Sequence, residues 1–162
     1  MDRRKLVALL RALADADVRY VLIGGLALNL HGLVRATEDI DLLLEASEEN
    51  VERLRRALRS IYDDPEIALI SAGELEDEYP VIRYVPPGDS PPIDLIARLG
   101  TGFAFEDAEW RPLDLDGVPV RVATPETLYA MKHRTVRARD HDDAIRLARA
   151  FGLGPREGDE ND

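Results

Sequence analysis

Cysteine is absent from this chain. Disulfides, thiol nucleophiles and cysteine-ligated zinc are therefore excluded, and the composition suits a cytoplasmic location. Long apolar runs are missing too: none approaches the roughly 20 residues of a membrane-spanning helix. The N-terminal stretch MDRRKLVALLRALADAD sets basic residues before apolar ones, but Arg11 interrupts it and Asp15 and Asp17 follow. That is the pattern of an amphipathic helix, not of a signal peptide. Histidine is scarce, and His31, His133 and His141 lack metal-ligand spacing with one another. There is no GxxxxGK[ST] loop, GxSxG elbow or GxGxxG turn, which leaves those chemistries without support. Cations are outnumbered, with 21 Lys and Arg against 32 Asp and Glu for a net charge of −11. A broad electrostatic footprint for DNA or RNA is thereby disfavoured, while local contact with a nucleic acid stays open. The basic residues that do cluster come late, as Lys132, Arg134, Arg137, Arg139 and Arg146.

What is present is a chain of 162 residues, 45% hydrophobic and 33% charged. That suffices for one globular domain, expected over 1–154, followed by an acidic, disordered tail over 155–162. Leu6, Leu9, Leu10 and Leu13 recur at helical spacing and predict a helix over 3–14. Val18 to Ile23 reads as a strand, Leu26 to His31 as a short helix with Gly32 as its stop, and Ile40 to Leu44 as a second strand. Ser47 caps a helix with Val51, Leu54, Leu58 and Ile61 on one face. Residues 63–78 are acidic and patternless, with a weak apolar patch at 67–70. Tyr79 to Val85 reads as a strand, a proline-rich loop follows, and Ile93 to Ala97 is a short apolar strand carrying Asp94. Gly100 to Trp110 reads as a loop with room for a helical turn, and Val118 to Val122 as a strand after an Asp116-Gly117 turn. Thr124-Pro125-Glu126 is a helix start. A last helix runs from about Asp140 to Phe151, with Ala144, Ile145, Ala148 and Phe151 on one face and Gly152 as its stop. Strands and helices interleave, so the class is α+β (mixed α/β).

The chemistry concentrates in YVLIGGLALNLHGLVRATEDIDLLLE, residues 20–45. A buried strand breaks at Gly24-Gly25, where a helix opens, and a helix N-terminus favours phosphate. The next strand carries Asp39 and Asp41 about Ile40. Strand side chains alternate, so the two acids share a face. Two such carboxylates repel unless a cation neutralises them, and oxygen ligands suit Mg²⁺. Asp94 alone reads as an exposed strand residue; with the pair already present it becomes a candidate third carboxylate. Three convergent carboxylates suit a two-metal displacement at a phosphate.

Gly-Gly after a strand, thirteen residues, Asp-Ile-Asp and a later hydrophobic-Asp-hydrophobic strand resemble the nucleotidyltransferase superfamily typified by DNA polymerase β. The similarity is to small stand-alone prokaryotic members, the minimal nucleotidyltransferases and AbiE-type toxins. HGLVRATEDIDLLL carries it first. ATPETLYAMKHRTVRARDHDDAIRL adds a second match, with Lys132, Arg137, Asp140 and Asp143 at corresponding places. The resemblance covers residues 18–45 and 92–150. It implies a nucleotidyltransferase fold, a small mixed sheet flanked by helices with further helices at the C-terminus. It also implies Mg²⁺-dependent transfer of an NMP from an NTP to a hydroxyl or phosphate on tRNA, protein or a small molecule, with Mn²⁺ as a substitute metal. Gly24 and Gly25 would hold the triphosphate, Asp39, Asp41 and Asp94 the metals, and Lys132 would reach the phosphates. A cognate antitoxin or toxin is the implied protein partner. The turn departs from the family's frequent Gly-Ser, keeping backbone donors but losing a hydroxyl.

Other residues divide between readings. Arg35 contacts a phosphate or forms an ion pair with a nearby acid such as Glu38. Asp140 and Asp143 read as a helix N-cap and its first turn, His31 as a helix-end residue, and Trp110 and Phe151 as core or partial-core aromatics. Two readings compete with the enzyme: a catalytically silent module of the same fold acting through a partner protein, and a divalent-cation-binding domain without transfer.

Overall fold

The computed structural model describes residues 1–78, 80–100, 103–133 and 138–154. It opens with α1 (Arg3–Asp15), which buries Leu6, Leu9, Leu10 and Leu13. The Asp2 carboxylate caps it, accepting the Arg4 N–H at 2.8 Å. β1 (Tyr20–Ile23) is buried at every position. It runs between β2 (Ile40–Leu44), its antiparallel partner, and β8 (Val118–Ala123), its parallel one. Between β1 and β2 the chain makes α2 (Gly24–Leu30) and a loop over 31–39.

Ser47 caps α3 (Glu48–Arg59) as the sequence predicts, its Oγ accepting the Asn50 N–H at 3.2 Å. The patternless 63–78 stretch holds more order than expected. It forms a 3₁₀ turn, Pro65–Leu69, and α4 (Ala72–Glu76), which bury Ile67, Ile70 and Leu75. Two such short elements are too brief to show a period.

β3 (Val81–Tyr84) and β4 (Ile93–Ile96) flank the proline-rich loop. The segment read as a loop over 100–110 holds the helical turn, a 3₁₀ turn at Phe105–Asp107, and is entered by a small antiparallel pair, β5 (Arg98–Leu99) with β6 (Phe103–Ala104). β7 (Trp110–Leu115) is a strand the sequence reading lacked; it pairs with β8 about Asp116 (φ 51°) and Gly117 (φ 83°). Both positive φ values suit the tight hairpin turn that Asp-Gly favours. β7 lies at the sheet's edge, where Pro112 is tolerated and period-2 burial is weak. Trp110 is therefore not a core residue: it is 40% exposed and lies under the Arg121 guanidinium, 4.8 Å from the ring centroid.

Thr124 caps α5 (Pro125–His133), its Oγ1 accepting the Thr127 N–H at 3.2 Å. α6 (Ala138–Phe151) begins two residues before the expected Asp140, which corrects the N-cap reading of that residue. Its inward face is Asp143, Ala144 and Leu147, while Ile145 and Phe151 are exposed at 50% and 38%. The face is turned from the expected one because Asp143 points inward to bind cations. Phe151 meets His31 edge-on at 5.9 Å.

Six strands thus make one mixed sheet in the order β3-β4-β2-β1-β8-β7, with α1 against α3 and β8, and α5 against α6. This is the expected α+β class. Leu22, Ile40, Leu42, Leu43, Leu54 and Leu58 are fully enclosed. Among the described residues no helix is long and apolar enough to cross a membrane. The tail over 155–162 and residues Arg134 and Arg137 lie outside the described residues.

Candidate active site

Strand register assembles the acids. β2 and β4 are parallel with Asp41 opposite Asp94, and Asp39 stands just ahead of β2. On the other side of Asp41, β1 ends at its register partner Ile23, and the chain turns at Gly24. Gly24 has φ +72°, and a β-carbon there would run into the Asp41 carboxylate. Only glycine therefore serves at this position. A β-carbon on Gly25 would crowd Thr37, 3.0 Å away. Thr37 in turn donates its hydroxyl to the Asp39 carbonyl at 3.0 Å, fixing the approach to β2.

Asp41 is the electrostatic focus. Burial, then repulsion by Asp94 and Asp39, raises its pKa from 3.8 to about 6. The charges of Lys132 and Arg35 act in the opposite direction. Burial also raises Asp94. A guanidinium absent from the sequence-based site answers part of this charge. Arg83 donates from Nη2 to Asp39 Oδ1 at 3.0 Å and from Nη1 to Asp94 Oδ2 at 3.2 Å. The signal was present in the sequence as one cation in the short strand VIRY, but only the β3–β4 register places it opposite Asp94.

A second charged cluster lies behind the first. Asp143, 4% exposed, ion-pairs with Arg35 and, at 2.9 Å, with Lys132. Lys132 also donates to Asp140 at 3.0 Å. Burial lowers the Lys132 pKa, and Arg35 adds to that, against the pull of Asp140. Arg35 is thus in an ion pair, as one of its two readings had it, with Asp143 in place of Glu38, and Asp143 is buried past the first turn of α6 instead of standing in it. Asn29 clamps the Arg35 backbone, accepting its N–H at 2.7 Å and donating to its carbonyl at 2.9 Å. Arg146 Nη2 donates to the Val34 carbonyl at 2.8 Å, tying α6 to the same loop. His31 ends α2 as expected, its Nε2 donating to the Ala123 carbonyl at 2.7 Å. Beside Arg35 opens a groove of about 660 Å³ lined by Val34, Arg139, Asp142, Arg146 and Arg149.

The structure therefore brings together Asp39, Asp41, Asp94, Gly24 and Gly25 at one end of three adjacent strands, with Lys132 and Arg35 near enough to act on Asp41. The donors are all oxygens and carry excess negative charge, which fits a hard divalent cation. Among the described residues no group of three or more His, Cys, Asp or Glu side chains is placed to hold a metal ion as the side chains stand; Arg83 spans two of the acids. No individual curated protein matches the chain. A family model, "Nucleotidyl transferase AbiEii toxin, Type IV TA system", matches residues 7–151, which take in every site residue above. The chain belongs to this nucleotidyltransferase toxin family of type IV toxin–antitoxin systems.

Proposed function

We propose that the protein is a metal-dependent nucleotidyltransferase that moves an NMP from an NTP to a hydroxyl or phosphate of an acceptor. The observation that carries the reading is the register alignment of Asp41 with Asp94, Asp39 beside them, against a Gly24 that admits no side chain. Asp39, Asp41 and Asp94 would hold Mg²⁺, with Mn²⁺ as a substitute. When bound, the metal neutralises the polyphosphate and the attacking oxygen. The backbone N–H groups of Gly24 and Gly25 hold the triphosphate beside the acids. Lys132, released from Asp140 and Asp143, supplies a cation to the phosphates. Asp94, whose burial strengthens its hold on a proton, takes the proton of the incoming hydroxyl. That oxygen bonds to the α-phosphorus as the bond to the bridging oxygen breaks and pyrophosphate leaves.

The arginine-lined groove beside Arg35 supports an acceptor that itself carries phosphate, such as a tRNA end, over a neutral small molecule. A cognate antitoxin is the protein partner. The experiment is transfer of labelled NMP from each NTP with Mg²⁺, on wild type, Asp39→Ala and Asp41→Ala. Loss of transfer in both variants with the fold intact supports the site; full activity in both refutes it. A catalytically silent module would give no turnover in wild type but would co-purify with its partner.

A further inference from the structure

The guanidinium of Arg83 stands where the proposed reaction needs a metal. β3 is the edge strand, β4 lies next to it and β2 beyond. Arg83 is register-paired with Asp94 and reaches over it to Asp39. Nη1 lies 3.3 and 3.2 Å from the two Asp94 oxygens, and 3.5 Å from Asp39 Oδ2. Nη2 closes on Asp39 Oδ1 at 3.0 Å. A guanidinium is a planar, permanently charged fork that fits carboxylates edge to edge. The lone pairs it takes are those a divalent cation would coordinate. Both cations cannot occupy the same oxygens at contact distance, because their charges repel and the N–H donors already point into the ligand directions.

We propose that Arg83 is an internal counter-ion that competes with the divalent metal for Asp39 and Asp94, so that metal loads as the Arg83 side chain swings away. The inference rests on the reading of these acids as metal ligands. Two features suit a movable residue better than a fixed tie. The Arg83 side chain is 51% exposed, so water replaces its lost bonds. Its strand has a neighbour on one side only, leaving room to move outward. In the resting protein the competition keeps metal affinity low. A triphosphate arriving at the site offers the guanidinium another anion, so nucleotide arrival and metal loading reinforce each other, and Arg83 acts as a positioning residue for the donor.

The test uses Mn²⁺ alone on the full chain, with free Mn²⁺ read by electron paramagnetic resonance and no nucleotide present. Wild type, Arg83→Gln, Arg83→Lys and Asp39→Asn are compared, and circular dichroism checks each fold. Arg83→Met repeats the measurement should the Gln variant not fold. Arg83→Gln is expected to bind Mn²⁺ about tenfold more tightly than wild type, the scale of losing one charge-assisted competitor. Arg83→Lys is expected to fall between them, and Asp39→Asn to bind more weakly than wild type. Equal or weaker binding by Arg83→Gln, with wild type binding, overturns the competition and leaves the metal site standing. No Mn²⁺ binding by either protein overturns both.

Discussion

Replacing Asp41 by Asn should stabilise the metal-free protein while destroying its proposed activity. The Asp41 carboxyl titrates at about 6 in the fold against 3.8 as the unperturbed value, because it is buried beside Asp94 and Asp39. The folded state therefore holds this proton more tightly than the unfolded chain does. Stability contributed by the group is present below pH 4 and is lost as pH rises through 6. At about 1.4 kcal/mol for each tenfold change in proton affinity, the ionised carboxylate costs the fold about 3 kcal/mol at pH 8. An Asn side chain avoids the charge but brings an amide that needs partners, so about half to all of that gain should appear. For a chain of this size it corresponds to about 4 to 10 °C in Tm. The assay is thermal unfolding of wild type and Asp41→Asn from pH 4 to 8 in the presence of a chelator. The difference should be near zero at pH 4 and grow through pH 6. A variant that is less stable than wild type at pH 8, or a difference that ignores pH, would refute the electrostatic account of Asp41.

Two further outcomes follow from the second cluster and the turn. Asp143→Ala removes the anion shared by Arg35 and Lys132; Lys132 keeps Asp140, but Arg35 loses its ion pair in a largely buried place, which should destabilise the fold by about 3–5 kcal/mol in denaturant titrations. A loss below about 1 kcal/mol would mean that solvent already screens the pair. Gly24→Ala forces a side chain into the Asp41 carboxylate at a positive φ. It should cost at least about 1–3 kcal/mol in the same titrations and abolish transfer, whereas wild-type stability and turnover would contradict the close approach seen here.

The parts of the molecule written in local patterns were legible in the sequence. β2 matches its expected bounds residue for residue because Ile40-Asp41-Leu42-Leu43-Leu44 is bounded by polar residues, and Ser47 and Thr124 announce the caps of α3 and α5. β7 was not legible, since its first half, Trp110, Arg111 and Pro112, is exposed and only Leu113 and Leu115 turn to the core, too few to impose a period. Arg83 itself and the pairing role of Asp143 were missed for a different reason. Their roles depend on partners 44 residues away for Arg83, across two strands, and on Arg35 for Asp143, from another part of the chain. Local spacing reports which face a residue occupies and not which charge waits there. The three acids escaped this limit only because their strands lie parallel and in register, so a pattern of separate short motifs coincided with a place in space.

On the proposed reading, Asp39 and Asp41 build a site for a metal-bound nucleoside triphosphate. Calorimetry with each of the four NTPs, with and without Mg²⁺, on wild type and on the Asp39→Ala/Asp41→Ala double variant tests it without knowledge of the acceptor. Mg²⁺-dependent binding of at least one NTP by wild type, and its loss in a folded double variant, is the expected result. Binding that persists undiminished in the double variant, or no NTP binding by wild type at all, would contradict it.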